Sequence, residues 1–261
     1  MRLIIALCLS LTFLPVSASA APEEDVVVVT KQDIMALLAQ IPDIAPVRED
    51  MRALGFRGEN LELAVAQNRA FYTDPVIAGH IAEQVMMAYA NPGQPGQAQG
   101  LIWPLIDRGL GHLPTRKLKY YFEVESTMIH ALPVAQCGRI IRNDLSAEAH
   151  SDTMSRMAAR LNAPALKEYY AIQLRAARLG ASRNAVRLSR SQFDRVKAGL
   201  DREMEVLIAG TPRPESIVDA MRDLRRADNR RACVIGRLMY DAVMRLEGQV
   251  QRDALIFMSS P

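Results

Sequence analysis

Histidine, cysteine and aromatic residues are scarce in this chain, and each shortage narrows the functions open to it. Only four histidines occur in 261 residues, at His80, His112, His130 and His150. None stands in an H-E-x-x-H helix. His80 and Glu83 read H-x-x-E, the reverse of the E-x-x-H that di-iron bundles use. No metal and no cofactor is expected. Three cysteines occur, with no C-x-x-C pair of the kind redox couples use. Arg108-Gly109-Leu110-Gly111-His112 has two glycines but no strand before it and neither phosphate-loop spacing, so it reads as a turn. Basic and acidic residues number 32 and 29, a net charge of +3. That balance, without a recognition motif, argues against nucleic acid as a partner.

Long apolar runs are also missing. The longest, Leu3 to Leu14, is about twelve residues, against the roughly 20 needed to span a bilayer. It follows Arg2 and precedes Pro15 and the A-x-A triplet Ala18-Ser19-Ala20, the three parts of a secretory signal cleaved after Ala20. Cys8 lies within it, preceded by Leu7 rather than a small residue, which argues against a lipid-anchored form. The expectation is export to the periplasm or the exterior, with no transmembrane anchor. Cys137 and Cys233 then meet an oxidising compartment, where two remaining cysteines most simply pair. Both lie in apolar helical segments, so the bridge is expected to staple two core helices. Residues 21–150 carry 11 basic and 16 acidic side chains, and residues 151–261 carry 20 and 13. The basic second half reads as a salt-bridged helical surface.

What the chain has in quantity is helical periodicity. Thr30 caps a helix that Pro42 stops, and a short helix is expected within 43–54. Asn60 to Tyr72 and the helix opened by Asp74-Pro75 follow. Leu101 to Asp107 is apolar, with Pro104 expected to kink it. Later helices run over Thr115–Leu132, Val134–Arg142, Ala147–Leu161 and Ala165–Leu179, the last closed by Gly180 as a C′ glycine. Ser189 and Gln192 have capping-box spacing, and further helices cover Glu215–Arg226 and Asn229–Leu246. On the last, Arg237, Asp241 and Arg245 form an i,i+4 ladder. Ala254 to Met258 is an apolar tail. The organisation expected is all-α, nine or ten helices in one domain over 31–258. An extended arm at 21–30 precedes it, and the loop at 91–100 offers the only sub-boundary.

Four helices aim a polar group where an apolar one belongs. At 100° per residue, Glu125 stands at the centre of Leu118, Tyr121, Phe122, Met128, Ile129 and Leu132. Asn68 is central among Leu61, Ala64, Val65, Phe71 and Tyr72. Gln173 is central among Leu166, Tyr169, Tyr170, Ala176 and Ala177, and His150 lies near Met154. Left unpaired, each costs on the order of 1–3 kcal/mol. They must therefore meet one another, meet an arginine such as Arg139, Arg142 or Arg237, or line a wet cavity with Tyr121, Phe122, Tyr169 and Tyr170. Glu125 is the candidate general acid and His150 the candidate base. Binding to another envelope or secreted protein is the function expected first, since no reaction centre is legible. A cell-wall-directed hydrolase using Glu125, or a carrier of a small apolar or amphipathic ligand, are the alternatives.

Overall fold

The computed structural model describes residues 29–43, 46–90 and 102–259. The expected signal peptide, most of the arm and the 91–100 loop lie outside them. Thirteen α-helices and two 3₁₀ turns make up the described residues, with no strand among them. The helices are α1 (Lys31–Gln40), α2 (Pro46–Ala53), α3 (Gly58–Thr73), α4 (Pro75–Ala90), α5 (Ile102–Leu110), α6 (Thr115–Ala131) and α7 (Val134–Ile141). They continue as α8 (Ala147–Ala158), α9 (Ala163–Ser182), α10 (Arg190–Ala209), α11 (Pro214–Arg222), α12 (Asn229–Arg245) and α13 (Gly248–Met258). The count exceeds nine or ten because the short segments already read as helical, α2 and α7 among them, each form a separate helix, and the apolar tail extends into one of its own, Gly248–Met258.

Helix starts follow side-chain chemistry. Thr30 with Asp33, and Ser189 with Gln192, form reciprocal capping boxes on α1 and α10. Ser146, Asn162 and Asp228 accept from the N3 amides of α8, α9 and α12. Asp74 caps α4 through Oδ1, bonded to the Val76 and Ile77 amides at 3.1 Å. Its other oxygen pairs with Arg178 of α9, so one buried carboxylate ties the α3–α4 corner to α9.

α6 lies among α8, α9, α12 and α13. It buries Leu118, Tyr121, Phe122, Val124, Met128 and Ile129. These belong to one apolar cluster that runs from Phe56 to Ile256. The largest helix–helix interface joins α5 to α9. A Cβ on Gly109 would stand 1.8 Å from the Ala176 carbonyl oxygen, and one on Gly180 would stand 1.9 Å from that of Leu105. Two glycines thus let the backbones touch, which corrects two expectations. Gly180 is inside α9 rather than closing it, and α5 continues to Leu110 instead of turning at Arg108. Pro104 sits in the first turn of α5, where its missing N–H breaks no helical bond.

Cys137 of α7 and Cys233 of α12 are bonded, their Cα atoms 5.1 Å apart, and both are fully buried. Gly138 beside the bridge lies against the Asn229 backbone, so these two helices also meet at backbone distance. Two more expectations are revised at this end. The helix over 215–226 breaks at Asp223 into a 3₁₀ turn. The Arg237 ladder does not form: Arg237 donates to the Leu132 and Ile129 carbonyls at the end of α6, and Asp241 lies 3.3 Å from His130. Free carbonyls at a helix C-terminus are a better partner for a guanidinium than a neighbour on its own helix. Among the described residues, no helix is long and apolar enough to cross a membrane.

Candidate ligand-binding site

The helical phase that places Glu125 on the apolar face of α6 holds in three dimensions. The Tyr169 hydroxyl of α9 donates to Glu125 Oε1, and Tyr121 bonds the same carboxyl from one turn earlier. The rings of Tyr121 and Tyr169 stack with centroids 5.2 Å apart, while Phe122 meets Tyr121 edge-on at 5.4 Å. Glu125 is therefore tied into an aromatic stack, and no arginine reaches it. Arg142 is spent on Asp144, Ala227 and Asn229, and Arg237 on the end of α6.

The rest of the Glu125 carboxyl faces a cavity of about 330 Å³. α5 supplies Trp103, Asp107 and Leu110 to its wall, α8 supplies His150, Ser151 and Met154, and α12 supplies Tyr240. Ile140, Ile141 and Met258 complete the apolar lining. Burial raises the Glu125 pKa to about 7, with the Asp107 charge adding to the rise and the two tyrosine bonds opposing it. Burial likewise raises Asp107 to about 6. It lowers the His150 pKa, disfavouring the charged imidazolium, and raises the pKa of Tyr240. Two carboxyls whose pKa values are raised toward neutrality thus face one small chamber, and no lysine or arginine is among its lining residues.

A second cavity, about 480 Å³, lies on the other side of Trp103, Ser151 and Met154, which line both. The Trp103 Nε1 donates to Ser151 Oγ at 3.1 Å within that shared wall. The second chamber is mostly apolar, formed by Leu38, Met51, Phe71, Ile81, Val85, Ile106 and their neighbours. Asn68, Tyr169, Tyr170 and Gln173 also face it. Asn68 Oδ1 and Gln173 Nε2 are buried there without a hydrogen-bond partner, and Gln173 as a whole is 3% exposed. An oxygen and an amide NH₂ left bare in an apolar chamber cost on the order of 1–3 kcal/mol each. Burial raises the Tyr170 pKa, so that its hydroxyl stays neutral.

The eight candidates read from the sequence divide between the two chambers. Tyr121, Phe122, Glu125 and His150 line the smaller, and Asn68, Tyr169, Tyr170 and Gln173 the larger. They form no single polar network, since only Glu125, Tyr121 and Tyr169 bond to one another. Trp103, Asp107 and Tyr240 were not foreseen. Trp103, Asp107 and Leu110 follow i, i+4, i+7 spacing, but a turn expected at Arg108 cut that face short before its period showed. Among the described residues, no three His, Cys, Asp or Glu side chains are grouped to hold a metal ion. Comparison with family models, with curated proteins and with solved structures finds no match.

Proposed function

We propose that this protein binds a small amphipathic molecule in the two adjoining chambers, acting as a carrier or receptor rather than as a catalyst. The observation that carries this reading is the bare pair Asn68 Oδ1 and Gln173 Nε2 facing an apolar cavity of about 480 Å³. Buried donors and acceptors are paired in the large majority of cases, so two bare groups facing one cavity call for an explanation. A ligand with an apolar body and one or two polar atoms would satisfy both. The cavity volumes fall in the range of about 300–1,000 Å³ usual for small-molecule sites.

Hydrolysis with Glu125 as general acid is the second reading. It is favoured by the Glu125 carboxyl, which holds its proton to about pH 7 beside Asp107. The Ile, Leu and Met lining speaks for an apolar ligand over a sugar chain. A protein partner rests on less: an open groove of about 730 Å³ between α10, α11 and α13, edged by the half-exposed Phe193 and Phe257. Export, which would bring the bridged cysteines into an oxidising compartment, belongs to the same proposal.

Calorimetric titration with octan-1-ol, an eight-carbon chain with one hydroxyl, tests the reading. A single saturable site with a negative heat-capacity change is expected. Ser155→Phe, which builds a ring into the larger chamber, should remove that site while circular dichroism shows the helices intact. No saturable heat, or full binding by a folded Ser155→Phe protein, would overturn the proposal.

A further inference from the structure

The smaller chamber has a chemistry of its own. Asp107 makes no hydrogen bond or ion pair with any described residue, and its carboxyl opens into the chamber opposite α6. Glu125 presents the second carboxyl, held by Tyr121 and Tyr169 from behind. Trp103, Tyr121, Phe122 and Tyr240 supply aromatic surface to the same walls. The faces of such rings are electron-rich and attract cations within about 6 Å of the centroid, more strongly once water is excluded. No lysine or arginine lines the chamber to compete for the two carboxyls, and burial works against a charge on its one imidazole, His150. Carboxyls and aromatic rings without a base are the elements of a cation receptor. Once ionised, the two carboxyls would repel an anion here.

We propose that the smaller chamber receives the head of an organic ammonium ion, and that the ligand's apolar chain passes Trp103 into the larger chamber. This rests on the two-chamber reading above and narrows it to one ligand class. Two independent features point to the same molecule. The carboxyl pair and the rings specify a cationic head on one side of the Trp103–Ser151 wall. On the other side, the unpartnered Gln173 Nε2 in an apolar cavity is a donor that a ligand continuing there would satisfy. Trp103 lines both parts, and its bond to Ser151 holds the indole in the shared wall.

Charge also sets the pH response. The titratable groups facing Glu125 are Tyr121 on its own helix, Asp107 from α5, His150 from α8, Tyr169 from α9 and Tyr240 from α12. The tyrosines stay neutral across pH 5.5–8 and burial works against a charge on His150, so the two carboxyls supply the change in negative charge in that window. A cation is attracted to their ionised forms. Between pH 5.5 and 8 the ionised fraction of a carboxyl with a pKa of about 7 grows roughly 30-fold, and the affinity for a cation should follow it upward.

Three eight-carbon probes separate the possibilities: octyltrimethylammonium, octan-1-ol and octanoate, each titrated calorimetrically into the disulfide-bonded protein at pH 5.5 and 8. The ammonium should bind at least tenfold more tightly than the alcohol at pH 8, and octanoate more weakly than either. The ammonium's advantage should shrink at pH 5.5. Glu125→Gln and Asp107→Asn should each lower the ratio of ammonium to alcohol affinity at pH 8, with the helical circular dichroism unchanged. If the alcohol binds and the ammonium binds no better, the cation receptor is refuted while the two-chamber reading stands. If none of the three binds, both fall. A cation preference that survives when Glu125→Gln and Asp107→Asn are combined in one protein would place the cation elsewhere and overturn the assignment.

Discussion

Raising the pH from 4.5 to 8.5 should cost the folded protein about 3 kcal/mol through Glu125 alone. The carboxyl is displaced from its ordinary 4.5 to about 7 in the folded state, and each unit corresponds to about 1.4 kcal/mol. The sign follows from proton counting. Between those two values the folded chain keeps a proton that the unfolded chain has already shed, so stability falls as the pH rises. The contribution is fully present below about pH 4.5 and is lost once the pH passes 7. For a chain of this length, 1 kcal/mol moves the melting temperature by roughly 2–4 °C, so the expected effect is about 6–12 °C. His150, whose pKa is lowered, acts in the opposite direction below its ordinary 6.5. The comparison that isolates Glu125 is therefore wild type against Glu125→Gln at each pH, since His150 titrates in both. The variant should melt close to wild type at pH 4.5 and progressively above it toward pH 8.5. A difference in melting temperature that does not change with pH, or a variant less stable than wild type at pH 8.5, would refute the burial assigned to Glu125.

Cys233→Ser should lower the melting temperature: closing a loop across 96 positions stabilises by about 4–5 kcal/mol in the chain-entropy model. Two freely alkylated thiols in the native protein would contradict the bridge. Gly180→Ala sets a Cβ against the Leu105 carbonyl and should destabilise by more than the 1–3 kcal/mol typical of overpacking, because backbone cannot rotate aside. A neutral result by chemical denaturation would mean that α5 and α9 do not cross there. If the chain is exported as proposed, mass spectrometry of the native protein should find Ala21 first, and a chain retaining Leu3 to Leu14 would refute cleavage.

Local rules carried much of this fold. The cap at Thr30, the capping box at Ser189, the cap at Asp74 and the phase of α6 all depend on residues within one or two turns, and all stand in the structure. Glu125 could be singled out for the same reason, since its conflict with its neighbours is visible along one helix. Whatever depended on a second helix was hidden. Gly180 looked like a helix terminator because nothing in its own segment reveals the Gly109 backbone lying across it. Arg237 looked like a rung in a ladder because the bare carbonyls of α6 are more than a hundred positions away. The polar groups of α3, α6, α8 and α9 could be recognised one by one. That Trp103 divides them into two chambers follows only from the packing of α5 between α8 and α9.

Trp103 also offers the most direct test of that division. It is the only tryptophan in the chain, and its indole stands in the wall of both chambers. Its emission therefore reports on their contents without a label. Titration of the native protein with octan-1-ol should shift the emission maximum along a saturable, single-site curve and should protect the indole from acrylamide. The Ser155→Phe protein should show neither change. A response that rises linearly without saturating, or one that Ser155→Phe leaves intact, would contradict a ligand chamber at Trp103.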